Sequence, residues 1–135
     1  MNREAFQQGV MSAGELNDYL RTANGATYSA ERYTRVFGVS PAIWAAQVDA
    51  YRRSQSNVAA ASEAEAEAVQ HFIADALRVV LVVAESGVAI ERSIAWFRHE
   101  PLPTFERRTA EQLVSQGQVE QVLQFLASWQ AGSQG

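Results

Sequence analysis

The 135-residue chain contains no cysteine. That excludes a disulfide scaffold, a cysteine-ligated zinc site and a thiol nucleophile. Lysine is absent too: all 11 basic residues are arginine. Schiff-base chemistry and a lysine-bearing phosphate loop are therefore excluded. No segment alternates with the period of two that marks a half-buried strand, and no internal repeat is visible. The most apolar run, Leu77 to Ala84, is too short to cross a bilayer and holds Arg78. Residues Met1 to Phe6 lack the apolar core of a signal peptide. A cytoplasmic protein without membrane contact is expected.

What is present suits a folded chain. Hydrophobic residues make up 47%, and there are three Trp, four Tyr and six Phe, enough to build a core. The net charge of −4 opposes non-specific nucleic-acid binding by the whole surface. That charge is unevenly spread. Residues 1–56 carry six arginines against five carboxylates, a net of +1; residues 57–135 carry five against ten, a net of −5. The asymmetry predicts two domains, 1–56 and 57–135, joined at Ser54-Gln55-Ser56-Asn57.

Helix punctuation recurs along the chain, and about seven helices are expected. Ser12-Ala13-Gly14-Glu15, Ser62-Glu63-Ala64-Glu65 and Thr109-Ala110-Glu111-Gln112 read as capping boxes, in which the first and last side chains satisfy free backbone N–H groups. Leu16, Tyr19 and Leu20 share one face of the first helix, which Asn24-Gly25 stops. A second helix runs from about Ser29 to Phe37 and ends at Gly38. A third opens at Ser40-Pro41, a cap followed by proline at the first helical position. The run Val69 to Val83 reads as a long helix that becomes apolar all round, a mark of a central position. A helix over about Val88–His99 follows Gly87. Pro101 and Pro103 predict an extended loop. A short helix from Thr109 ends at Gly117. The last helix carries Val119, Val122, Leu123, Leu126 and Trp129, with a mobile tail over Ala131–Gly135. The predicted class is all-α.

Two short helices joined by Phe37-Gly38-Val39-Ser40 have the outline of a helix-turn-helix. Base reading needs donors on the second helix, yet its first turns offer Ala42, Ala45 and Ala46, leaving Ser40 as the one hydroxyl. Arg32, Arg35, Arg52 and Arg53 are the candidate phosphate contacts. Two packed helices with a glycine turn explain the same pattern.

Catalytic signals are scarce. Glu67, His71 and Asp75 lie four residues apart on one helix face, but Phe72, Ile73, Ala76 and Leu77 define the buried side, so the row is expected to be solvated. Neither histidine has a glutamate three residues before it, as a di-iron bundle requires. There is no Gly-x-Ser-x-Gly elbow and no glycine-rich phosphate loop. No catalytic residue, metal ligand or cofactor is assigned.

The stretch His71–Trp129 resembles the toxin-binding domain of Xre/MbcA/ParS-type antitoxins. Its elements occur in order: the apolar helix Ala76–Ala84, then Ala95-Trp96-Phe97, Pro101-Leu102-Pro103 and Phe105. Arg108-Thr109-Ala110-Glu111-Gln112-Leu113-Val114, Gly117 and the closing helix complete the set. The family often has Asn where Leu102 stands, Gly near Glu106 and Arg107, and Pro where Ala110 stands. The resemblance implies a small helix-turn-helix-like N-terminal domain followed by a compact helical toxin-binding domain. It also implies a non-enzymatic antitoxin of a type II module. Such a protein binds and neutralises a cognate toxin, commonly a NAD-consuming RES-domain protein, and many members of the family repress their own operon as dimers on operator DNA. Arg98, Phe105, Arg107, Arg108 and Trp129 are the expected toxin contacts, since Trp and Arg are frequent interface anchors. Trp96, Phe97 and Leu113 are expected in the core. The alternatives are a solitary helix-turn-helix regulator, or a dimerisation module using Trp44, Val48 and Tyr51.

Overall fold

The apolar run around Val80 lies at the centre of a helical bundle, where its all-round hydrophobicity requires it to be. The computed structural model describes residues 11–55 and 61–134, with side chains over 11–55 and 66–130. These residues form seven α-helices and no strand. In order they are α1 (Ala13–Leu20), α2 (Ala30–Phe37), α3 (Pro41–Gln55), α4 (Ala61–Glu85), α5 (Ile90–His99), α6 (Ala110–Ser115) and α7 (Val119–Gln134). A 3-10 turn covers Pro103–Phe105. Helix α4 packs against all six others, and its Phe72, Ile73, Ala76, Val79 and Val80 are fully buried. Burying each of the larger of these contributes about 1.5–3 kcal/mol. Among the described residues no helix is long and apolar enough to cross a membrane.

Local sequence signals set the helix ends. Ser12 and Glu15 cap each other's backbone N–H at 3.1 and 2.9 Å. Thr109 and Gln112 do the same at 3.1 and 2.9 Å. The third expected box, Ser62 to Glu65, lies outside the described side chains; α4 already includes Ser62. Gly38 ends α2 at φ 72°, and Val39 behind it is buried. The segment expected as a tail is helical through Gln134, while Gly135 and the Ser56-Asn57 part of the expected join lie outside the described residues.

The boundary expected near residue 56 does not separate two cores. Phe72 on α4 meets Tyr33, Trp44 and Tyr51 at ring-centroid distances of 6.0, 5.7 and 5.6 Å, and Phe37 meets Phe97 at 5.8 Å. One apolar cluster runs from Met11 to Leu126. Polar clasps cross the same seam. The Gln70 amide donates to the Tyr28 carbonyl and accepts from its N–H, at 3.0 and 2.8 Å. The Tyr51 hydroxyl donates to Asp75 at 2.8 Å. At Gly117 (φ 78°) a Cβ would lie 2.5 Å from Ser54 Oγ, so the α6–α7 turn and the end of α3 come together only because glycine is there. Of the stripe Trp44, Val48 and Tyr51, the alternative dimer face, Tyr51 belongs to this core, Trp44 packs half-buried against it, and Val48 is buried.

Candidate functional site

Helix α5 presents two opposite faces. Ile90, Ile94 and Phe97 point into the core. Arg92, Trp96 and His99, at spacings of four and three, line one wall of an open groove of about 750 Å³. Phe125 and Trp129, also four apart, form the α7 wall, and Pro101 and Pro103 form the rim. Val83, Leu102 and Leu126 lie at the floor. Trp129 is 54% exposed, and only it and Ile43 are exposed large hydrophobics among the described residues. Nothing lining the groove pairs a nucleophile with a base. What it offers is apolar area with a cation and an anion at its edges.

The rim loop is compact, not extended as the two prolines predict. Leu102 donates its N–H to the Arg108 carbonyl at 3.1 Å and accepts from the N–H of Arg107 and of Phe105, each at 2.9 Å. Closing this turn puts Glu106 and Arg107 in the left-handed region, at φ 60° and 69°. For residues with a Cβ that conformation costs about 1 kcal/mol each.

The expected toxin contacts divide. Trp129 is exposed on the groove wall, and the Arg107 side chain projects from the loop with no hydrogen bond or ion pair. Phe105 is half-buried, edge-on to Phe125 at 5.8 Å. Arg108 is tied to its own loop: Nε donates to the Phe105 carbonyl at 3.1 Å and Nη1 to Gln116 at 2.6 Å. Arg98 is not available as an interface residue. Its side chain is 13% exposed and pairs with Glu111, 6% exposed, at 2.9 Å. The same guanidinium donates to the carbonyls of Phe37 and Gly38 at 3.2 and 2.9 Å, fixing the α2–α3 turn to α5. Phe97 and Leu113 are fully buried as expected, but Trp96 is only partly buried and faces the groove. One residue along a helix turns the side chain by about 100°, which carries Trp96 off the core face that Phe97 occupies.

The expected DNA contacts are engaged within the chain. Arg32 lies over the Tyr19 ring, 5.4 Å from its centroid, and donates to the carbonyls of Tyr19 and Arg21, both at 3.0 Å. It holds the end of α1 and is not free for phosphate. Arg35 pairs with Glu31 at 3.0 Å, and Arg52 and Arg53 both pair with Asp49, at 2.9 and 2.7 Å. Ser40 Oγ accepts the Ile43 N–H at 3.3 Å, which caps α3. Of the Glu67–His71–Asp75 row, Glu67 and His71 are exposed, whereas Asp75 is half-buried under Tyr51.

Two phenols are held protonated. Burial pushes the Tyr33 hydroxyl well above its ordinary range, with Glu111 adding to the shift and Arg98 opposing it. Burial also raises Tyr51, helped by its hydrogen bond to the Asp75 carboxylate and by that carboxylate's charge. Tyr33 Oη has no hydrogen-bond partner. Among the described residues no cluster of three or more histidines and carboxylates could hold a metal ion.

The sequence reading missed Arg92, His99, Phe125 and the prolines as parts of one surface. The signal was present in the Arg92–Trp96–His99 spacing, opposite in phase to Ile90–Ile94–Phe97. Comparison with protein-family models, with functionally described proteins and with solved structures gave no match to this chain.

Proposed function

We propose that this chain is the antitoxin of a type II toxin–antitoxin module and that its second half binds and neutralises a cognate toxin, a RES-domain protein that consumes NAD being the candidate class. The observation that carries the reading is the rim loop. At two of the three places where the chain departs from the resembled family, its backbone suits the residue that the family uses; the third, Leu102, is an apolar side chain buried at the groove floor. Glu106 and Arg107 have positive φ, which glycine adopts without strain. Ala110 is the first residue of α6, where proline is favoured. From Glu106 to Ala110 the same backbone therefore accommodates both sets of residues.

The groove beside this loop supplies the apolar area and the exposed Trp129 that a protein partner needs. Operator binding draws support only from the α2–Gly38–α3 outline, since the arginines that would hold phosphate are engaged within the chain. A homodimer remains part of the proposal through the resemblance alone.

The test is co-expression with the product of the adjacent reading frame. Growth arrest by that product, relieved by this chain with recovery of a stable complex, is the expected result. An adjacent product that causes no arrest and forms no complex overturns the reading.

A further inference from the structure

The groove constrains the shape and charge of whatever fills it, and this step rests on the antitoxin reading of the same half. An extended peptide would need backbone partners along a rim or wall. Here the rim offers no donor: Pro101 and Pro103 have no N–H, and the N–H of Leu102 is engaged inside the loop, so a strand's carbonyls would go unpaired. The walls are helices, whose central backbone groups bond within the helix. An α-helix satisfies its own backbone and needs only apolar contact.

Charge adds a spacing. Among the described residues only Arg92 and Arg107 have guanidiniums with no hydrogen bond or ion pair. Arg92 lines the groove near the start of α5, and Glu100 lines it just past the end. Eight residues of helix separate them by about 12 Å, or about two turns. The α5 dipole has the same polarity, positive at the Arg92 end and negative at the Glu100 end.

We infer that the groove receives an amphipathic α-helix of the partner protein, with its apolar ridge between Trp96 and Trp129, a carboxylate against Arg92 and a basic side chain about two turns away against Glu100.

The probes are two hydrocarbon-stapled helical peptides of identical composition, each with a Leu/Trp ridge. One carries a glutamate and an arginine two turns apart beside the ridge; the other carries the same two residues on the face opposite the ridge. A third, unstapled peptide with prolines in the ridge stays extended. Binding to the full chain is read by fluorescence anisotropy at low salt. The helix with its charges beside the ridge should bind about tenfold tighter than the helix with its charges opposite it, and the extended peptide should not bind. Arg92→Glu should abolish or reverse the preference, and Trp129→Ser should weaken both helices by about tenfold or more. Both side chains are exposed, and unchanged circular dichroism verifies that the variants fold. Failure of both helices to bind, equal binding of the two, tighter binding of the extended peptide, or indifference to the two substitutions overturns the inference. Growth-rescue assays separate the two levels. Rescue that survives Arg92→Glu and Trp129→Ser sinks the groove assignment and leaves the antitoxin reading standing. Absence of rescue by the wild-type chain sinks the antitoxin reading.

Discussion

In residues 11–55 every arginine is tied to the chain itself, whereas the more acidic second half leaves Arg92 and Arg107 unattached. Arg21 and Arg32 stack on tyrosines and donate to backbone or hydroxyl oxygens; Arg35, Arg52 and Arg53 pair with neighbouring carboxylates. In the second half a net of −5 coexists with two free guanidiniums, one on the groove wall and one on its rim loop. Charge counted over a segment says little about which cations a partner can reach. The pairing of each cation decides that.

An arginine scan read by urea denaturation is the way to break this comparison. Arg98→Met should have the largest effect, a loss of about 3–5 kcal/mol, because it strands the Glu111 carboxylate in the core and releases the Phe37 and Gly38 carbonyls. A loss below about 1 kcal/mol would mean that Arg98 is not a structural latch and would return it to the candidate partner contacts. Arg32→Met should lose about 1.5–3 kcal/mol, the range for hydrogen bonds to charged groups. Arg35→Ala and Arg53→Ala should change stability by less than about 0.5 kcal/mol, since these pairs are exposed. Arg92→Ala and Arg107→Ala should be the most neutral of all. A clear destabilisation by either would show a native partner within the chain and remove it from the free cations.

Most of the fold was legible in the sequence, because local signals dominate at helix ends. The Ser12–Glu15 and Thr109–Gln112 boxes, Gly38 and Gly117 each act within a few residues. The all-round apolarity of Val79 to Val83 identified the central helix. Three features were not legible. The single core across residue 56 depends on Phe72 meeting Tyr33, Trp44 and Tyr51, contacts between distant segments that no local pattern encodes. Arg98 resembles any exposed helix arginine until Glu111 and the α2–α3 turn are brought to it. The compact rim loop runs against the usual reading of Pro101-Leu102-Pro103, because closure by Leu102 and Arg108 imposes positive φ on two residues that do not favour it. The groove itself was half legible: its residues were visible at helical spacing, but which helix faces meet is a tertiary fact.

The most direct measurement is hydrogen–deuterium exchange on the chain alone and in complex with the product of the adjacent reading frame. Slowed exchange in 88–108 and 119–130, with 30–55 unchanged, is the predicted result. Protection confined to 30–55, or a complex that leaves 88–130 unaltered, would contradict the assignment of the partner to the groove.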